Sequence, residues 1–219
     1  FDKINLIEPE KVRNKETLNF QQKLFHLSQR SISNKGYYEA VTWSFTDKKI
    51  DDLTNGSTDP IIIINPISNE LNVLRRSIFS NLLFYLKKNH DRGFQDISLF
   101  EVGPVFFGKK PGEQQTVIGA VKSGQINKKS WSEKTRNVDI FDMKTDVIKT
   151  LIEMGINEDY LIVSDKSKDC YHPGRSGSIN FKTTNGILLA QFGEIHPSII
   201  SKLNYKEKNI CLLYTSPSP

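Results

Sequence analysis

Residues 97–122 read ISLFEVGPVFFGKKPGEQQTVIGAVK. Ile97–Phe107 reads as a strand, Lys109-Lys110-Pro111-Gly112 as a turn, and Thr116–Lys122 as a second strand. A short loop is the cheap way to join antiparallel strands, so the pair is expected to form a hairpin. Upstream, Ser80–Asp91 reads as a helix with Leu82, Leu83 and Leu86 inward and Gly93 at its end. Ile61–Ile64 reads as a buried strand stopped by Asn65-Pro66, and Lys48–Pro60 as a polar stretch with an Asn55-Gly56 turn. Val41–Phe45 is rich in β-branched and aromatic residues and reads as a strand. Asn14–Lys35 carries Phe20, Leu24, Leu27 and Ile32 at helical spacing, with Asn14 as its cap and Gly36 as a left-handed stop. Residues 1–13 read as a linker from an upstream module.

Downstream of the hairpin, Gln125–Asn137 is a polar loop carrying Trp131. Met143–Met154 reads as a helix with Met143, Val147, Leu151 and Met154 on one face, Asp142 at its N-cap and Gly155 at its end. Strands Tyr160–Val163, Ser178–Phe181 and Ile187–Phe192 follow, the last two joined by Thr184-Asn185-Gly186. An antiparallel β-sheet flanked by helices is an α+β fold. The breaks are short, which argues for one domain over 14–210. The final CLLYTSPSP, residues 211–219, resembles read-through of a sequencing adapter. It is expected to be a non-native tail, with an ordinary Pro/Ser-rich tail as the alternative. The absence of an initiator Met before Phe1 suggests a piece of a longer protein.

The 219 residues suffice for a proper core. The net charge is +5, but Lys supplies 23 of the 30 cations and Arg only 7. Lys is a hydrated point charge and Arg the bidentate reader of phosphates. The balance therefore permits weak attraction to nucleic acid without being a recognition signal. The longest aliphatic run, Ile61–Ile64, is far too short to cross a membrane. Two cysteines make no disulfide scaffold. Without the tail only Cys170 remains, and a lone thiol fits a reducing, cytoplasmic compartment.

Few residues suggest chemistry. Asp169, Cys170 and His172 are close, but no second Cys or His pair stands at ligand spacing, so no metal is expected. His26, His90, His172 and His196 sit in no nucleophile motif. Asp139 and Asp142 flank a strand end, where Asp142 reads as a cap. No phosphate-binding glycine loop is present. The cluster His172-Pro173-Gly174-Arg175-Ser176-Gly177 reads either as a backbone nest for an anion or as a tight turn. Arg75-Arg76 reads as a solvated face or an inter-subunit salt bridge.

Six strings in order resemble the β subunit of bacterial phenylalanyl-tRNA synthetase. They are GYYEAVTWSF (36–45), NPISNELNVLRRSIFSNLL (65–83), LFEVGPVF (99–106), VDIFDMKTDV (138–147), HPGRSGSI (172–179) and FGEIHP (192–197). The resemblance implies a class II synthetase fold and a place in an α2β2 complex that joins phenylalanine to tRNA-Phe, using ATP and Mg²⁺. It also implies that the active site lies in the α subunit. Active class II enzymes carry Arg-x-Glu after a strand like Leu99–Phe106; here Phe107, Gly108 and Lys109 stand there. They carry a proline where Trp43 stands, and a third signature would lie beyond Ile210. Losing the phosphate-binding Arg removes transition-state charge stabilisation, so the domain is expected to be pseudo-catalytic, with no catalytic, cofactor or metal residues. In class II folds the first long helix and the strand after it form the dimer interface, so Gly36, Tyr37, Tyr38, Glu39 and Trp43 become candidates for contact with the α subunit. His172, Gly174 and Arg175 remain an anion or turn cluster. The alternatives are an active class II adenylate-forming domain and a free-standing basic nucleic-acid-binding protein.

Overall fold

A computed structural model describes residues 3–5, 7, 17–57, 59–126, 131, 134–183, 186–206 and 209–216. Asn14, most of the 1–13 linker and Thr184-Asn185 lie outside these. The first helix, α1 (Phe20–Ser33), begins later than its hydrophobic spacing suggested. Asn19 is its cap: its side chain accepts from Gln22 N at 2.8 Å, and Gln22 Oε1 accepts from Asn19 N at 2.9 Å. Gly36 (φ 84°) then turns the chain in the left-handed region.

The next segment makes two brief ladders rather than one strand. β1 (Tyr38–Glu39) and β2 (Phe45–Thr46) are separated by residues 40–44. The stretch read as polar loop contains a helix, α2 (Lys48–Asn55), capped by Asp47, with Asp51 and Thr54 buried. β3 (Val73–Leu74) pairs antiparallel with β2 and bridges Ile62. This corrects the reading of Ile61–Ile64: Ile62 and Ile64 are exposed, Ile64 by 92%. An aliphatic run signals a buried strand only if both faces are covered, and here one side is open.

α3 (Phe79–His90) is followed by the expected hairpin, β4 (Ile97–Phe106) and β5 (Gln114–Ser123), in register from Ile97↔Ser123 to Phe106↔Gln114. α4 (Ile140–Glu153) is capped by Asp139, not Asp142. Asp142, at the third helical position, returns a hydrogen bond to Asp139 N at 2.9 Å and completes the capping box. β6 (Leu161–Ser164), β7 (Tyr171–Phe181), β8 (Ile187–Ile195), α5 (Pro197–Lys202) and β9 (Ile210–Thr215) finish the fold.

The seven-stranded sheet runs β1-β4-β5-β9-β8-β7-β6, antiparallel except for β1 beside β4. β9 therefore lies at its centre, and a domain boundary at Ile210 falls inside the sheet. Residues 211–215 are part of the domain's sheet, because Cys211–Leu213 place buried side chains on both faces. The Pro/Ser content of residues 216–219 says nothing about the strand before them.

Helices cover both faces. Ile32 of α1 and Met143, Val147 and Leu151 of α4 pack with Phe100, Val102, Ile118 and Leu213. Leu82, Leu83 and Leu86 of α3 pack on the opposite face with Val117, Val121 and Leu212. Each of those leucines is fully buried, worth about 1.5–3 kcal/mol. α1 and α4 are also tied by Lys35 Nζ to Glu153 at 2.8 Å and by a hydrogen bond from Ser31 Oγ. Burial by itself raises the Glu153 carboxyl, but the Lys35 and Ser31 hydrogen bonds outweigh it and hold the group below its ordinary value. Such a carboxylate stabilises the fold above its unfolded pKa and stops doing so as pH falls through the folded one. Glu153→Gln is expected to cost about 0.2–1 kcal/mol at neutral pH, and the cost should vanish as pH is lowered through the carboxylate range. Urea midpoints of the two proteins across that range check this; a constant difference would contradict it.

Candidate functional site

The two arginines are not on a solvated face. Arg75 is 1% exposed. Its Nη1 lies 2.7 Å from Glu101 Oε1 and 2.9 Å from Thr42 Oγ1, and its Nε donates to Pro104 O at 2.9 Å. Thr42 Oγ1 donates to Glu101 Oε2 at 2.7 Å, and Asn81 Nδ2 donates to Thr42 Oγ1 and Trp43 O. A Cβ at Gly103 would sit 2.6 Å from Arg75 Nη2, so glycine leaves room for the guanidinium. Arg76 turns to α2, with Nε 2.5 Å from Asp51 Oδ2 and Nη2 2.8 Å from Asp52 Oδ1. Both charges are therefore used inside the chain. The arginines fasten residues 42–46, β3 and α2 to β4 and α3. Sequence spacing gives no hint of this, because Glu101 and Asp51 are 26 and 25 residues away from their partners.

Several apolar side chains on these fastened strips stay exposed. Among the interface candidates, Tyr37 points inward: its hydroxyl donates to Asp146 Oδ2 at 2.8 Å and Lys122 Nζ lies 4.3 Å over its ring. Burial, and then Asp146, push its pKa well above the usual tyrosine value. Tyr38 points out, and Glu39 accepts from Gln29 Nε2 at 2.6 Å. Val41 is 90% exposed and Trp43 is exposed too. Ile62, Ile64 and Ile67, which were not among the candidates, are exposed as well. The strips carrying them are laterally bonded: Leu74 N donates to Ile61 O and Arg75 N to Ser44 O, at 2.9 and 3.0 Å. Phe106 N donates to Arg75 O at 3.0 Å, which ties the end of β4 to the residue after β3. At that end Phe107 is exposed, and Lys109 makes a loose surface pair with Asp59 at 3.4 Å.

The other candidates have structural partners. Residues 172–175 form an irregularity in β7, where the register with β8 shifts between Tyr171 and Ser176. Gly174 N donates to His172 Nδ1 at 3.1 Å, and Arg175 Nε lies 3.2 Å from Glu194 Oε2. His196 caps α5, accepting from Ser198 N at 3.1 Å, and His90 Nε2 lies 2.9 Å from Ser123 Oγ. Cys170 is buried, and burial pushes its thiol up to about 11, so it is protonated at neutral pH. Among the described residues no three His, Cys, Asp or Glu side chains gather as a metal site. No helix among them is long and apolar enough to cross a membrane.

The class of protein follows from the sheet and its helices. The fold is that of the class II aminoacyl-tRNA synthetases. It matches pyrrolysyl-tRNA synthetase from Desulfitobacterium hafniense with a TM-score of 0.65, over 90% of this chain and 64% of that one. The identity is 15%, a likeness of fold alone. The sequence is more specific. The family model of the phenylalanyl tRNA synthetase beta chain CLM domain matches residues 4–213, and the chain belongs to that family.

Relatives called phenylalanine–tRNA ligase beta subunit include one from Rhodospirillum rubrum, 39% identical over 81% of this chain and 22% of that protein. One from Paramagnetospirillum magneticum is 37% identical over the same shares. One from Ehrlichia ruminantium is 33% identical over 99% of this chain and 27% of that protein. The chain thus spans about a quarter of the length of these curated relatives.

Proposed function

We propose that this chain is the non-catalytic docking module of a phenylalanyl-tRNA synthetase β subunit and that its apolar surface seats the α subunit. The observation that carries this reading is the set of exposed apolar side chains Val41, Trp43, Ile62, Ile64 and Ile67, on strips tied to one another and to a buried ion pair. Rigid aromatic and aliphatic area of this kind anchors interfaces. Phe107 in place of a phosphate-binding Arg, with Arg75 and Arg76 both paired internally, supports the absence of ATP chemistry here. In this reading the α subunit does the chemistry with ATP and Mg²⁺, the assembly is α2β2, tRNA-Phe is reached through the complex, and the compartment is cytoplasmic.

The test is co-expression with a bacterial phenylalanyl-tRNA synthetase α subunit, followed by size-exclusion chromatography and ATP–pyrophosphate exchange. Co-elution is expected, with no exchange by this chain alone. Ile62→Ser/Ile64→Ser should weaken association at least tenfold, the scale of interface anchor residues. Its urea midpoint should barely move, since exposed positions cost little. Wild-type affinity in the variant, or exchange by the isolated chain, would overturn the reading.

A further inference from the structure

We propose that the cleft between residues 43–47 and α3 is a socket for one cationic side chain, a lysine or arginine, of the subunit that docks on the apolar surface. This rests on the docking reading above and adds the chemistry of the contact. The cleft holds about 180 Å³. Sites that enclose a free small molecule hold about 300–1,000 Å³, so this one has the size for a side chain rather than a metabolite. Its apolar walls are Trp43, Phe45, Phe84 and Tyr85. Trp43 is both a wall of the cleft and one of the exposed apolar residues of the docking reading, so a partner packed on Trp43 would reach the cleft.

The charge at the cleft is the opposite of the chain's. Asp47 and Glu70 line it and no Lys or Arg does, in a protein of net charge +5. Asp47 Oδ1 caps α2 by accepting from Lys49 N at 2.8 Å, and among the described residues neither Asp47 nor Glu70 forms an ion pair. Aromatic faces attract a cation and cover its aliphatic stem. A basic side chain would therefore lay its stem along Trp43 and Phe84 and bring its charge to the two carboxylates.

The experiment measures the affinity of the 219-residue chain for the α subunit at low and high salt. The variant is Asp47→Asn/Glu70→Gln, in which asparagine keeps the capping acceptor. At low salt its affinity is expected to fall at least fivefold, and its salt dependence to flatten, because a screened charge contact has been removed. Ile62→Ser/Ile64→Ser should weaken binding while leaving the salt slope as in the wild type. If the charge variant binds like the wild type with the same slope, the socket is wrong and the docking reading stands. If the wild type does not bind the α subunit at all, the docking reading fails and the socket fails with it.

Discussion

Arg75→Ala is expected to cost about 3–5 kcal/mol of folding stability, because it leaves Glu101 charged and buried without its partner. A domain of this kind has about 5–15 kcal/mol in total, so the variant would be barely folded or unfolded. The loss is larger than that of an ordinary ion pair for a local reason. Arg75 also holds Thr42 and Pro104 O, so one truncation frees the extended segment, β3 and β4 from one another. Urea unfolding followed by far-UV circular dichroism measures the cost. The double variant Arg75→Met/Glu101→Leu removes both charges and should recover much of it, since apolar replacement of a buried pair is often tolerated. A loss below about 1 kcal/mol for Arg75→Ala, the scale of a surface pair, would mean that the pair is wet. Because the same hub positions Trp43, surviving Arg75 variants should also bind the α subunit less tightly.

A chain ending at Ile210 is expected not to fold. β9 pairs with β5 on one side, from Ile118↔Thr215 to Ser123↔Ile210, and with β8 on the other, from Ala190↔Thr215 to Glu194↔Cys211. Removing it opens the middle of the sheet and leaves two inner strands with unpaired edges. Leu212 and Leu213 are fully buried on opposite faces, each worth about 1.5–3 kcal/mol, and Cys211 and Thr215 are buried with them. Together with the lost ladders this equals or exceeds the stability such a domain has. A chain ending at Ser216 keeps the strand, as well as the hydrogen bonds of Ser216 to Leu189 O and from Gln115 Nε2, and should fold. Circular dichroism and urea unfolding of the two truncations decide the matter: equal midpoints would show that β9 contributes nothing.

The two predictions concern features that differ in how far sequence could reach them. The hairpin of β4 and β5, the inward face of α3 and the left-handed Gly36 are local events, set by turn chemistry, side-chain periodicity and one backbone conformation. All were legible, and so was the family, because six short strings in order are hard to obtain otherwise. The start of α1 was legible too but was not read: Asn19 has Gln22 three residues on to complete a capping box, whereas Asn14 has Thr17. The exposed isoleucines were missed for a different reason. Ile61–Ile64 has the composition of a buried strand, and whether a face is covered depends on what the rest of the chain lays over it.

Arg75 shows the division most clearly. Its position between Leu74 and Ile78 suggested solvent or a partner subunit, but the partner is Glu101, on a strand that reaches it only after the sheet has formed. The central place of β9 is of the same kind: six residues with an unremarkable pattern become indispensable because β5 and β8 leave a gap between them. By itself the sequence determined the central hairpin, the helices at α1, α3 and α4, the antiparallel α+β class and the family. The tertiary structure alone decided which charges are buried and paired, which apolar side chains remain outside and where the last strand inserts, because each depends on groups distant in the chain and brought together only by packing.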